Sequence, residues 1–345
     1  MRIITVEEHI GDQGLFKAGQ AKQQANAAYF TEVGTCFRGS LDDGDDKLPM
    51  GLDFRVTSGL LVESGEERIA QMDKHAIDMQ ILSYSNPSQD APPDQAIDLT
   101  RRANDKLAEK VQASPSRFRG FAALPWQHPK AAAAELERAV KDLGLVGTLL
   151  LGRPAGLFLD DPQFEPILAK LNELRVPIYM HPGYPLPQVQ LPYYGGLDTE
   201  VTARLSLFGW GWHNEAGVHL LRVLLSKKFD LFPNLQVISG HWGEMVPFYL
   251  QRLDDTMPQQ MTGLSRSITD TFRRHVYVTP SGMLNLPHFQ FIYSVLGADR
   301  ILYSVDYPYL TMAGARRFLE SLPISEDDKE KIAHKNAEDL FILAS

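Results

Sequence analysis

Four apolar runs, far apart in this 345-residue chain, each end in a side chain able to bind a metal. Residues 3–6 lead into Glu7-Glu8-His9, 176–180 into His181-Pro182, 236–239 into Gly240-His241, and 301–305 into Asp306. Along an extended chain successive side chains alternate, so Glu7 and His9 share one side and Glu8 takes the other. Taken singly, Glu7 or Asp306 would cap a helix or pair with a surface base, and His181 would be a hydrogen-bonded core residue. As a set, Glu7, His9, His181 and Asp306 offer carboxylate oxygens and imidazole nitrogens. That donor mixture suits Zn, Mn or Fe better than Ca.

The run at His241 carries more. His241-Trp242-Gly243-Glu244 is expected to open a helix, with Pro247 in its first turn, where proline is tolerated. Glu244 is spaced to hold an imidazole ring in one tautomer and orientation. Arg252 follows about two turns further along the same helix face. There it either points a bidentate fork at a substrate carboxylate or forms a salt bridge with Asp254 or Asp255. The remaining histidines (His75, His128, His213, His219, His275, His288 and His334) are read as structural helix or loop residues, with His213 the least settled.

Positioning these side chains falls to an alternating pattern. Helices are expected over 66–75, 96–113, 130–143, 166–174, 215–229, 244–255, 286–296, 313–322 and 325–343. Between them lie strands at 79–83, 120–124, 146–151, from 176, and at 236–239, 276–279 and 301–305. With the strand at 3–6 this makes about eight strand–helix units, the pattern of a parallel sheet. In a chain of this size it favours an α/β fold of the (β/α)8 TIM-barrel type. The C-terminal strand ends of a barrel share one mouth, so Glu7, His9, His181 and Asp306 could meet there. The first strand–helix turn has no Gly-x-Gly-x-x-Gly, which removes the best support for a dinucleotide-binding fold.

A single domain over 1–345 is expected, with insertions at about 10–62 after strand one and 184–214 after strand five. The first lacks clear periodicity and holds Asp42, Asp43, Asp45 and Asp46. A segment of that length without regular structure is often functional, and it is expected to cover a site. The second carries Tyr193-Tyr194-Gly195-Gly196 and Phe208-Gly209-Trp210-Gly211-Trp212.

Composition narrows the setting. Hydrophobic residues make up 44% and charged residues 22%, as in a soluble globular protein with a sizeable core. The net charge of -9 weighs against a nucleic-acid partner, which would meet a basic face. Cys36 is the only cysteine, so no internal disulfide forms and a reducing compartment is expected. The N-terminus meets charge too soon for a secretory signal, and no apolar run approaches the roughly 20 residues of a membrane helix. A cytoplasmic protein is expected.

At these residues the chain resembles the amidohydrolase superfamily. The resemblance rests on Glu-x-His after strand one, His-Pro after strand five, Gly-His-x-Gly-Glu after strand six and Asp-x-Pro after strand eight. The similar branch contains γ-resorcylate, 2,3-dihydroxybenzoate and 5-carboxyvanillate decarboxylases, with aminocarboxymuconate-semialdehyde decarboxylase more distant. The Phe229-x-x-Phe232-Pro233-Asn234 approach to His241 is similar too. The resemblance covers nearly the whole chain, most strongly 210–255 and least 10–62.

The resemblance implies that Glu7, His9, His181 and Asp306 bind one divalent ion, Zn or Mn. It makes His241 and Glu244 the catalytic pair and Arg252 the substrate-carboxylate contact. Strand four ends Leu150-Leu151-Gly152-Arg153, without the lysine that binuclear members carbamylate, so one metal is expected. The implied reaction is non-oxidative decarboxylation of an ortho-hydroxy aromatic acid, with Asp306 delivering the proton to the ring carbon. Aromatic residues of the insertions, such as Tyr29, Phe30 and Trp210, would sandwich the ring. The alternative is a metal-dependent hydrolase of a lactone or cyclic ester, in which His241 would activate water. A homo-oligomer, dimer or tetramer, is implied on the same ground.

Overall fold

The computed structural model describes residues 1–27, 29, 59–63 and 65–343. Strands β1 (Ile4–Ile10), β2 (Met79–Tyr84) and β3 (Phe118–Gly120) form one parallel sheet. Strands β4 (Thr148–Leu151), β5 (Ile178–His181), β6 (Val237–Ser239) and β7 (Val276–Val278) form a second. Isolated parallel bridges join Ala122 to Thr148, Val278 to Ile301, Thr5 to Tyr303 and Glu8 to Tyr307. The segment 301–307 therefore touches both β7 and β1.

The principal helices are α1 (Gln13–Asn26), α2 (Gly65–Lys74), α3 (Pro93–Ala113), α4 (Pro129–Lys141), α5 (Glu165–Leu174) and α6 (Pro187–Tyr194). They continue as α7 (Thr199–Ser206), α8 (Gly211–Leu225), α9 (Val246–Thr256), α10 (Ile268–His275), α11 (Leu286–Leu296) and α12 (Ala315–Ser321). Proline stands in the first turn of α3, α4, α5, α6, α9 and α11, where its missing N–H costs nothing. Among the described residues, no helix is long and apolar enough to cross a membrane.

The strands separate two apolar layers. Ile178 and Met180 of β5 join the larger one, with Leu168, Leu171, Leu220 and Val223 of the helices. Tyr179 joins Ile4, Val6, Ile81, Ile238 and Leu302 in the smaller one, which the helix Asn336–Phe341 closes with Leu340 and Phe341. On β1, strict alternation from Ile4 and Val6 would carry Glu8 to the side of the smaller cluster. The pairing with β2 shifts register between Thr5 and Glu8, and Glu7 and His9 take that side instead. One irregularity thus aims two polar side chains.

Glu8 goes the other way and explains why 301–305 forms bridges rather than the expected strand. Its carboxylate accepts the backbone N–H groups of Val305 (3.0 Å) and Tyr307 (3.3 Å), two donors that a regular ladder would have used. Behind it lies Arg68, fully buried, which donates to Gln80 Oε1 (2.6 Å) and to the His9 carbonyl (2.8 Å) and stands over the Tyr307 ring. Burial pushes Glu8 up to about 8, against the attraction of Arg68.

Other expectations shift as well. Residues 13–26, read as aperiodic, form α1, capped by Asp12, whose Oδ1 accepts from Leu15 N at 2.9 Å. Asp42, Asp43, Asp45 and Asp46 lie outside the described residues. The segment 184–214 holds α6 and α7. Helix α10, which the sequence pattern does not predict, is capped by Ser267, and Asp254 accepts its first amide, Ile268 N, at 2.7 Å. Strand β3 ends at Gly120, where a Cβ would fall 2.8 Å from Leu107, although Ala122 still bridges onward.

The Arg68 network yields a stability prediction. Arg68→Met leaves Glu8 and Glu63 without their buried cation and is expected to cost about 3–5 kcal/mol in denaturant unfolding. A loss below about 1 kcal/mol would show that the network contributes little.

Candidate active site

Glu7 divides its carboxylate. Oε2 accepts from Ser281 Oγ, from Thr279 Oγ1 (3.3 Å) and from Ser304 Oγ (3.4 Å). Oε1, equally buried, has no hydrogen-bond partner. Burial pushes the Glu7 carboxyl up, and Asp306 adds to that, while His241 and His9 oppose it.

His181, at the end of β5, has Nδ1 2.8 Å from the Pro182 carbonyl. A carbonyl only accepts, so Nδ1 carries the proton and Nε2 presents a lone pair, 3.5 Å from Glu7 Oε1. Burial, with His9 and His241 nearby, pushes its pKa well below the usual imidazole range, so the ring is neutral. His9 contacts Ser83 Oγ through Nδ1 (3.2 Å), and its Nε2 lies 3.1 Å from Asp306 Oδ1. Neither of those two facing atoms has a hydrogen-bond partner.

The ligand atoms of Glu7, His9, His181 and Asp306 all lie within 4.8 Å of one another. Three of the four residues contribute an orphaned buried atom: Glu7 Oε1, His9 Nε2 and Asp306 Oδ1. Buried polar atoms clustered without partners are costly unless a cation joins them. The donor set fits a divalent ion. Of the four side chains Asp306 is the most exposed, at 15% against 0% for Glu7 and His9 and 8% for His181, so it faces the opening.

The loop after β6 differs from expectation. His241 to Met245 do not begin a helix; all five residues have positive φ (48, 59, 84, 53 and 64°). Only Gly243 is at ease there, and each of the others costs on the order of 1–2 kcal/mol. Two bonds fasten the turn to the segment after β7: Trp242 N to the Thr279 carbonyl (2.8 Å) and His241 N to Ser281 Oγ (2.8 Å). Helix α9 then starts at Val246, with Pro247 in its first turn. Gly240 has its own reason. A Cβ there would lie 2.7 Å from Ser281 Oγ, 2.8 Å from Tyr179 Oη and 3.2 Å from Glu7 Oε1.

The turn sets His241 Nδ1 2.7 Å from Glu244 Oε1. Burial disfavours the charged ring, but Glu244, with Glu7 and Asp306, outweighs it and holds His241 up to about 9. Burial likewise opposes the Glu244 charge, yet His241 and His213 keep that carboxyl below its ordinary value. His213, read as structural, is the second imidazole on Glu244, 2.9 Å from Oε2. Its only sequence signal was its place directly after Phe208-Gly209-Trp210-Gly211-Trp212.

Arg252 is not brought into this cluster. It lies on the exposed face of α9, and among the described residues no acceptor pairs with its guanidinium. The salt-bridge alternative with Asp254 is not formed, because Asp254 caps α10. Phe30 lies outside the described residues, and Trp210 is 41% exposed. Tyr29 places its hydroxyl against Gly195, and among the described residues the rings beside the cluster include Tyr309, edge-on to His9 at 5.4 Å, with Tyr179 and Trp212 each 6.3 Å from His181.

The family model described as Amidohydrolase matches residues 56–343, and the chain belongs to that family. Within it, γ-resorcylate decarboxylase from a Polaromonas species is 39% identical over 299 residues, covering 82% of this chain and 89% of the relative. The structure of 5-carboxyvanillate decarboxylase from Sphingomonas paucimobilis matches with a TM-score of 0.86 at 30% identity, covering 100% of both chains. A Polaromonas dihydroxybenzoic acid decarboxylase, solved with manganese and the inhibitor 2-nitroresorcinol, matches at 0.81 and 34% identity, covering 99% and 97%. The chain thus falls in the aromatic-acid decarboxylase branch.

Two outcomes follow. Gly240→Ala presses on Ser281, Tyr179 and Glu7 and is expected to destabilise by about 1–3 kcal/mol in calorimetry; an unchanged Tm would refute the crowding. In metal-free protein, the His241 ring should titrate by NMR near 9. Its stabilising pair with Glu244 is then complete below about 6.5 and lost as pH rises through 9. Glu244→Gln should drop that midpoint below the usual imidazole value; an unmoved midpoint would contradict the pairing.

Proposed function

We propose that the chain catalyses non-oxidative decarboxylation of an ortho-hydroxy aromatic carboxylic acid, releasing CO2. The observation that carries this reading is the cluster of buried, unpartnered atoms on Glu7, His9 and Asp306, set beside the His241–Glu244 pair, in a chain of the decarboxylase branch. We further infer that the four isolated bridges close the two sheets into a (β/α)8 barrel within one domain, which would put these strand ends at one mouth.

Glu7, His9, His181 and Asp306 would hold one divalent ion, Mn or Zn, with Mn favoured by the manganese in the solved dihydroxybenzoic acid decarboxylase. Such an ion supplies Lewis acidity toward the phenolic and carboxylate oxygens of the substrate. The residues do the rest. Departure of CO2 leaves an electron pair on the ring carbon, and a proton must reach that carbon. Asp306, the ligand turned furthest to the opening, is assigned that transfer: it would take up the proton that the substrate's ortho-hydroxyl gives up and pass it to the ring carbon, leaving the product as its phenolate. His241, kept cationic by Glu244, counters the negative charge of the substrate beside it. Tyr309 and Trp212 present ring edges that would border the aromatic substrate. Arg252 is proposed for the substrate carboxylate, a role its guanidinium is free to take among the described residues. A cytoplasmic homo-oligomer completes the proposal. The exposed cluster of Phe248, Tyr249 and Phe291 supports the self-association.

The test is a panel of hydroxybenzoates incubated with Mn- and Zn-loaded protein, following CO2. Release from ortho-hydroxy acids is expected. Turnover of a lactone panel without CO2 would favour the hydrolase instead. Glu7→Gln and Asp306→Asn are each expected to weaken ion binding more than about tenfold. Unchanged ion content in both would remove the shared site.

A further inference from the structure

Ser281 occupies a place in the site that its residue type does not advertise. It is 1% exposed and sits just beyond β7 with φ of 46°, a conformation that a serine adopts only at a cost. A hydroxyl has one proton to give and lone pairs to receive. Ser281 uses both sides. Its O–H is donated to Glu7 Oε2, and its oxygen accepts the His241 backbone N–H at 2.8 Å. Its own backbone N–H is held by Ser304 Oγ at 2.8 Å, and Ser304 Oγ in turn reaches Glu7 Oε2 at 3.4 Å.

Deepening the metal-site reading of the preceding section, we propose that Ser281 is the positioning residue that registers the His241 turn against the metal ligand Glu7. The hydroxyl proton is committed to Oε2, where Thr279 Oγ1 at 3.3 Å and Ser304 Oγ at 3.4 Å join it from further off, and Glu7 is thereby held with Oε1 toward His181, whose Nε2 lies 3.5 Å away. Because the same oxygen accepts from His241 N, the first residue of the left-handed turn is fastened to the same atom. One oxygen therefore sets both the ligand and the catalytic imidazole. A one-way chain of this kind, N–H to hydroxyl to carboxylate, strengthens each of its bonds. Gly240 leaves the room it needs, since a Cβ there would stand 2.7 Å from Ser281 Oγ.

Backbone and hydroxyl can be separated at this position. Ser281→Ala keeps the strained backbone and loses the hydroxyl, whereas Ser281→Gly loses the hydroxyl and relieves the strain. Wild-type protein and both variants are titrated with Mn2+ by EPR, melted by heat, and followed by hydrogen exchange at the His241 amide. The expected result is about a 10- to 100-fold loss of Mn2+ affinity in both variants and faster His241 exchange, with Ser281→Gly melting no lower than Ser281→Ala. Wild-type affinity in either variant, or affinity that recovers in Ser281→Gly along with Tm, would overturn the proposal. Failure of the wild-type protein to bind Mn2+ or Zn2+ would instead strike the metal reading itself.

Discussion

The structure depends on how one buried carboxylate is divided. Glu7 is wholly inaccessible, and a carboxylate in that position is unfavourable unless each oxygen finds a partner. Three hydroxyls converge on Oε2 and none on Oε1. The uncompensated oxygen lies next to His181 Nε2, which is a bare lone pair because Nδ1 faces the Pro182 carbonyl, with His9 Nε2 and Asp306 Oδ1 close by and likewise without hydrogen-bond partners. Such a pocket of acceptors is an electrostatic liability in the protein alone. It becomes favourable only with positive charge, which the Mn-containing relative and the donor chemistry both suggest is a divalent ion.

Much of the surrounding architecture reads as a means to that arrangement. The register shift on β1 turns Glu7 and His9 toward the smaller apolar layer, and Glu8 answers by gathering the amides of Val305 and Tyr307. Those contacts hold the corner from which Asp306 projects, with φ of 66°. Strain is concentrated at the same level of the fold, in Ser281, Asp306 and the run His241–Glu244–Met245. Backbone held in this region persists only where surrounding contacts over-determine it. Here those contacts come from neighbouring strand ends, so the polar side chains are aimed by the parts of the chain least able to relax.

How much was legible in the sequence follows from what each feature depends on. Glu7, His9, His181 and Asp306 could be read because strand ends following apolar runs are recognisable, and a parallel sheet gathers such ends. His241 and Glu244 were legible as a pair through their spacing. The conformation that joins them was not, because Trp242, Glu244 and Met245 carry no preference for positive φ. Serine at 281 and histidine at 213 were hidden for a different reason. Their roles come from partners more than 30 positions distant, Glu7 for the one and Glu244 for the other. The edge formed by 301–305 was legible as extended chain, while its loss of a regular ladder is a side-chain effect of Glu8. Arg252 shows the reverse case: the expected helix face shared with Glu244 does not form, because the left-handed turn at 241–245 takes Glu244 out of the helix that carries Arg252.

Anomalous diffraction from crystals grown with Mn2+ would show directly whether one cation sits among these four side chains. A single strong peak is expected, enclosed by Glu7 Oε1, His9 Nε2, His181 Nε2 and Asp306 Oδ1, with Glu7 Oε2 still on Ser281. A peak at His213 and Glu244, or ordered Mn2+ only at the surface, would contradict it.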